Sequence, residues 1–228
     1  MRKRFLYGVF FSLSFVFAMA AVSCRSRVNG DAVWREILHA EQNVTYLSVA
    51  EKDVIREMNK VRTNPKAYSN YLKQERAYYY GMFIKRPGKI PVRTREGRAA
   101  LEACIVALEK AAPVGALLPD ESLSRAAGLL AAEQARTGAM GHASADGRTL
   151  KDRIVQFCGD KYMQMAENIS YGSSPDARSV VIRFLIDDGI HSRGHRVNLM
   201  NPSYTHCGVA MAEHPVYRHV CVIDFAAY

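Results

Sequence analysis

The chain has 228 residues, of which 49% are hydrophobic and 23% are charged, and its formal net charge is +9. This balance is that of an ordinary folded protein, and it excludes a wholly disordered chain. The basic residues are spread without a long run, which predicts a solvated face that can contact anionic lipid head groups. The same distribution predicts no nucleic-acid partner.

The N-terminus has the layout of a secretory signal peptide. Three basic residues, Arg2–Arg4, precede an apolar run from Phe5 to Val22, and small residues lead up to Cys24. Basic residues before an apolar run and small residues at its end are what signal peptidases require. We therefore predict a signal peptide over residues 1–23. An uncleaved membrane anchor is the alternative, because a run of this length can just span a bilayer.

The end of this run resembles a bacterial lipobox. In Ala21-Val22-Ser23-Cys24 the cysteine stands where it would become an acylated N-terminus, although Ala21 replaces a larger aliphatic residue. The resemblance predicts lipidation at Cys24, a polar tether over residues 24–47 and a folded domain over residues 48–228. The protein would then be a lipoprotein anchored to the membrane of the bacterial cell envelope.

Helical patterns dominate the front of the domain. Ser48 and Glu51 form a capping box ahead of an apolar periodicity that ends at Asn64-Pro65. The same Asn-Pro pair predicts the start of a second helix. Residues 78–95 are rich in glycine, proline and basic side chains, which predicts a loop.

Three further helices and a hairpin follow. Apolar spacing predicts helices over about residues 95–111 and 122–137, and Ser174-Pro175-Asp176 predicts the start of a helix that stops at Gly189. Alternating residues over 208–212 and 219–225 predict two antiparallel strands. The pattern is that of an α+β protein.

Four cysteines remain after Cys24, in a compartment that permits disulfides. A hairpin turn centred near His214 would bring Cys207 opposite Cys221, so we predict that these two pair. Cys104 with Cys158 is the weaker second pair. Four reduced thiols in the core remain the alternative.

Short motifs in the second half of the chain occur in a characteristic order. They are Gly141-His142, Ala166-Glu167-Asn168-Ile169, the run 192–199 around His195, Asn201-Pro202, and Gly208-Val209-Ala210. In this order they resemble bacterial members of the CAP superfamily, which also contains cysteine-rich secretory proteins and plant pathogenesis-related proteins. The resemblance covers about residues 48–228. It implies a three-layer α-β-α sandwich with a central antiparallel sheet.

The same resemblance implies a ligand-binding cleft of two histidines and two acids. By position these are His142, Glu167 and His195, with Asp187 as the second acid and its neighbour Asp188 as the alternative. Neutral imidazole suits a divalent cation such as zinc, so His142 and His195 are the candidate metal ligands. Without a metal, the carboxylates would instead stabilise imidazolium.

Two functional hypotheses follow. The first is a non-catalytic binding module at the envelope, whose cleft takes a divalent cation, a lipid, a peptide or a cell-wall component, and it assigns no catalytic residue. The second is a metal-dependent hydrolase, a protease or esterase, in which Glu167 serves as general base.

Other histidines are weaker candidates. His191 lies four residues before His195, but Gly189 and Gly194 argue against a continuous helix there. His206, His214 and His219 could bind metal with the hairpin cysteines only if those thiols stayed reduced.

Overall fold

The structure is a computed structural model in which residues 41–227 are described. The helices are α1 (Val49–Thr63), α2 (Pro65–Glu75), α3 (Arg98–Lys110), α4 (Glu121–Thr137), α5 (Leu150–Cys158), α6 (Ala177–Ile186) and α7 (Gly194–Leu199). The strands are β1 (Tyr79–Tyr80), β2 (Phe83–Ile84), β3 (Val92–Arg93), β4 (Leu118–Pro119), β5 (Gln164–Gly172), β6 (His206–His214) and β7 (Arg218–Ala227). No helix within residues 41–227 is long and apolar enough to cross a membrane.

Side-chain caps set most helix starts. The predicted capping box of Ser48 and Glu51 opens α1, and Asn64 caps α2 ahead of Pro65, as the sequence predicts. Helix α5 was not predicted, although Thr149 and Asp152 form a second capping box at its start. Its nine residues are too short to show a clear apolar period.

The central sheet has the strand order β4-β6-β7-β5. Strands β5, β7 and β6 pair antiparallel, whereas the two-residue β4 runs parallel to β6. Because side chains alternate along a strand, β7 sends Cys221, Ile223 and Phe225 to one face and Val220 and Val222 to the other.

Helices cover both faces of this sheet. The larger core lies between the sheet and helices α1, α2, α3 and α6, and two smaller clusters lie between the sheet and helices α4 and α5. The architecture is therefore the predicted α+β three-layer α-β-α sandwich. The parallel edge strand β4 is an addition to the predicted antiparallel sheet.

The cysteine pairing predicted for the hairpin is wrong. The turn lies at residues 215–217, so Cys207 faces Phe225 and Cys221 faces Met211. The two cysteines are four residues out of register, about 13 Å along the strand, which is too far for a disulfide. The second predicted pair also fails, since Cys104, Cys158, Cys207 and Cys221 are all free thiols.

Two other segments differ from the sequence prediction. The predicted loop over residues 78–95 contains the three-stranded antiparallel meander β1-β2-β3. Residues 41–47 of the predicted tether contact the domain: Glu41 is fully buried and accepts a hydrogen bond from Arg56, and Leu47 is buried. The signal peptide, Cys24 and the rest of the tether lie outside the described residues.

Candidate functional site

The first half of the candidate site is a histidine held by a buried acid. Glu167 lies on β5, an edge strand of the central sheet, and its carboxylate is 2.8 Å from Nδ1 of His142. The other carboxylate oxygen accepts a hydrogen bond from Nη2 of Arg153, on α5, at 2.6 Å. The Glu167 side chain is 2% exposed and that of His142 is 60% exposed. A buried acid therefore orients an accessible imidazole.

Arg153 is the residue that fixes this pair. Its guanidinium is fully buried, and Nη1 also donates to the backbone carbonyl of His142 at 2.9 Å. One side chain thus binds both Glu167 and the main chain that carries the histidine. Nothing in the sequence around Arg153 indicated this role.

A second hydrogen-bonded group holds the loop ahead of His142. The amide of Gly141 donates to the hydroxyl of Tyr171 at 2.9 Å, and Gln134 donates to the carbonyl of Gly141 at 2.7 Å. The Tyr171 hydroxyl in turn donates to Gln134. The closed set of bonds keeps the approach to His142 in one conformation.

Asp224 lies on β7 directly opposite Glu167 and is fully buried. Neither of its oxygens accepts a hydrogen bond from a described residue. Burial, and then the neighbouring Glu167 charge, raise the pKa of Asp224 well above its usual value. A proton on Asp224 removes the repulsion between two adjacent buried carboxylates. The sequence contains one signal for this buried acid, because Asp224 is the only charged residue in the apolar run 220–225.

The second half of the site is His195 with Asp187. Nδ1 of His195 is 2.6 Å from one oxygen of Asp187, and the backbone N–H of His195 donates to the other at 2.9 Å. Asp187 ends α6 in the left-handed conformation, which turns its carboxylate toward α7. Its neighbour Asp188 instead accepts from the backbone of Arg95 and Glu96. The structure thus pairs Asp187, and not Asp188, with the histidine.

Strand β5 connects the two halves. Asn168 follows Glu167, so its side chain points to the opposite face of the sheet, where it donates to the carbonyl of His195 at 2.9 Å. Asn168 also accepts from Asn198 on α7. The two histidine–acid pairs are therefore attached to adjacent residues of one edge strand.

The loop that carries His195 has its own supports. Glu96 accepts from the Arg193 guanidinium at 2.5 Å and from the Gly189 amide at 2.6 Å, and these bonds lower the pKa of Glu96 to about 2. Arg196 donates to the carbonyl of Leu185, which joins α7 to the end of α6. His191 precedes α7, so it does not share a helix with His195.

Other predicted and alternative sites receive less support. Within residues 41–227 no three His, Cys, Asp or Glu residues come together as a metal site, neither around His142 and His195 nor among the hairpin histidines. Burial raises the pKa of Cys104 to about 11 and of both Cys207 and Cys221 to about 12, which makes these thiols poor nucleophiles.

Two surface depressions lie elsewhere. One, of about 450 Å³, is lined by the β6–β7 turn region around His214 and Arg218. The other, of about 370 Å³, lies between α1 and the start of α6 and is lined by charged residues. Neither is lined by His142 or His195.

The class of the protein follows from its sequence family. The model of the cysteine-rich secretory protein family, CAP, matches residues 55–225, and the chain belongs to this family. No curated protein matches the chain.

Two solved structures resemble the domain. An outer surface protein from Borrelia burgdorferi has 19% identity and a TM-score of 0.43, and the match covers 50% of this chain and 79% of that one. An extracellular protein containing a SCP domain from Bacillus anthracis str. Ames has 20% identity and a TM-score of 0.42. That match covers 57% of this chain and 39% of the other.

Proposed function

We propose that the CAP domain is a binding module that takes a divalent cation, with zinc as the best fit, through His142 and His195. The observation that carries this proposal is that each histidine directs Nδ1 at a carboxylate. Because a carboxylate only accepts, Nδ1 carries the hydrogen and Nε2 keeps its lone pair as the ligand atom. A histidine backed by a carboxylate is the usual arrangement behind a bound metal.

The two imidazoles supply part of the ligand set that zinc requires. Two neutral imidazoles suit zinc, and Glu167 and Asp187 raise the basicity of each ring. Within residues 41–227 no group of three or more His, Cys, Asp or Glu residues comes together as a metal site, so water or a bound molecule would complete the coordination. A site that stays open in this way suits capture of a ligand with its own oxygen or nitrogen donor.

Zinc titration calorimetry at neutral pH tests the proposal. The wild-type domain should bind zinc, and His142→Ala and His195→Ala should each abolish the binding. Glu167→Gln should weaken it about 10- to 100-fold by removing the support of one ligand. His191→Ala is the matched control and should bind as the wild type does. Equal binding by all four variants would overturn the assignment of the ligands.

The hydrolase alternative receives less support from the contacts of Glu167. Its two oxygens are engaged by His142 and Arg153, and the side chain is almost fully buried. A general base must instead reach the proton that it removes. We therefore propose binding rather than turnover for this site.

We further propose that the protein is exported and anchored at the bacterial cell envelope through an acylated Cys24. The support is the order of basic residues, apolar run and small residues ahead of that cysteine. A tether after Cys24 would hold the domain close to the membrane surface, where lipid, peptide and cell-wall ligands are available.

A further inference from the structure

We propose that one face of the β1–β2–β3 meander docks the domain on an anionic phospholipid bilayer. The proposal deepens the proposed envelope location and rests on it. The surface is called the meander patch, and it consists of Tyr80, Phe83, Ile90, Lys85, Lys89 and Arg93.

Strand register places part of this patch in one row. Tyr80 on β1 faces Phe83 on β2, and Phe83 faces Arg93 on β3. Residues directly opposite each other share a face of the sheet, so these three side chains lie side by side. On the other face Tyr79 is buried and Ile84 packs against the main core. Val92, opposite Ile84, is 53% exposed, so this face is packed along β1 and β2 only, and the face of Tyr80, Phe83 and Arg93 is free.

The free face and the adjoining β2–β3 turn expose large apolar side chains. Tyr80 is 57% exposed, Phe83 is 42% exposed, and Ile90, in the β2–β3 turn, is 86% exposed. Isolated exposed apolar residues are normal, but a cluster within one short meander indicates an interaction surface.

The same segment has a one-sided charge. Residues 77–95 contain five lysines and arginines and no acidic residue. Arg86 is neutralised by Glu75 and stacks on Tyr78 at 4.5 Å. Lys85, Lys89 and Arg93 are exposed and form no ion pair with a described residue, and the Lys85 ammonium lies 5.6 Å from the Tyr80 ring.

The positive charge of the meander patch complements the negative charge of an anionic lipid surface, which is therefore the partner that we propose for it. Aromatic rings favour the depth of the head groups, aliphatic side chains favour the acyl boundary, and lysines pair with lipid phosphates while their stems cover apolar surface. Protein–protein interfaces are instead depleted in lysine. From an acylated Cys24, residues 24–40 would reach about 60 Å at most, so the patch would meet the bilayer at a high local concentration.

The patch is also fixed to the loop that carries His195. The amides of Arg95 and Glu96, just after β3, donate to Asp188, and the Glu96 carboxylate binds Gly189 and Arg193. These bonds make the end of the meander and the α6–α7 loop one unit. Docking through the patch would bring the His195 half of the site to the membrane surface.

Vesicle co-sedimentation tests the proposal with the chain from residue 24 that carries Cys24→Ser. It lacks the acyl chain and contains all of residues 41–227, the part of the chain that the structure describes. The protein should sediment with vesicles that contain phosphatidylglycerol, should not sediment with pure phosphatidylcholine vesicles, and should be released by high salt.

Two double variants have the same change in charge. Lys89→Gln with Arg93→Gln should weaken partitioning about 30-fold, at about 5-fold per basic residue. Arg136→Gln with Lys151→Gln, exposed positions on α4 and α5, should leave it unchanged. Phe83→Ser should weaken binding in every salt concentration, because it removes apolar insertion rather than charge.

Several outcomes would overturn the proposal. They are no binding to anionic vesicles, equal loss in both double variants, or binding to a soluble polyanion such as dextran sulfate without binding to vesicles. Circular dichroism of each variant checks that it is folded. Zinc titration of the Lys89, Arg93 variant separates the two proposals, because it should match the wild type even where vesicle binding is lost.

Discussion

At the scale of single residues, the unusual feature is an acid pair beneath an accessible histidine. Glu167 and Asp224 face each other across β5 and β7, and Arg153 supplies one positive charge beside them. If both buried acids were ionised, the single Arg153 charge would leave one negative charge uncompensated. Burial therefore favours a proton on one of the two acids. We place this proton on Asp224, because burial and the neighbouring Glu167 charge raise the pKa of Asp224 and neither of its oxygens accepts a hydrogen bond from a described residue.

Replacing Asp224 by Asn tests this assignment. The pKa of Asp224 is raised in the folded protein, so its proton favours folding at low pH, and that contribution is lost as the pH rises from about 4 toward the raised pKa. Asp224→Asn cannot lose a proton. Its unfolding free energy relative to wild type should therefore rise with pH, by at most about 1.4 kcal/mol per unit.

Urea unfolding between pH 4 and pH 8 measures this difference. Asp160→Asn, at an exposed position, is the control and should stay within about 0.5 kcal/mol of wild type at every pH. A difference between Asp224→Asn and wild type that does not change with pH would contradict a protonated Asp224.

At the scale of elements, helix α4 and strand β6 approach unusually closely. A Cβ added at Gly208 would lie 2.1 Å from the Leu123 carbonyl carbon and the Ser124 nitrogen, both backbone atoms of α4. Backbone atoms cannot rotate away as a side chain can. The glycine of the Gly208-Val209-Ala210 motif is therefore a packing requirement of the sandwich.

Two glycine substitutions, one in this contact and one on α4 away from it, should have opposite effects. Gly208→Ala should lower the unfolding free energy by about 2–4 kcal/mol, because the helix and strand must separate. Gly128→Ala, in α4 itself, meets nothing within 4 Å and should raise the unfolding free energy by about 0.5–1 kcal/mol through helix propensity. Thermal unfolding of both variants measures the signs, and two losses would contradict this account.

At the scale of the whole molecule, the proposed anchor decides where the domain works. Cys24→Ser should block acylation in the bacterial host and move the protein from the membrane fraction to the soluble envelope fraction. Acyl labelling followed by cell fractionation measures both effects, with Cys158→Ser as the control because Cys158 lies in the folded domain. Retention of label and of membrane association in Cys24→Ser would contradict lipidation at that residue.

Local signals determined much of the architecture. The capping box of Ser48 and Glu51 and the Asn64-Pro65 break are short-range chemistry, and the structure has them where the sequence places them. The order of the motifs around His142, Glu167 and His195 determined the family, and with it the three layers. The caps could be predicted because each depends on residues within a few positions along the chain, and the family because each motif is short and the motifs keep their order.

Only the tertiary structure decided which groups meet. Arg153, on the preceding helix, and Asp224, on the last strand, reach Glu167 only through packing around the sheet. The choice of Asp187 over Asp188 depends on the left-handed turn at the end of α6. The register of the hairpin separated Cys207 from Cys221 because a two-residue shift of its turn moves each strand residue to another partner. Local sequence sets elements, whereas register and packing across the sheet set the partners.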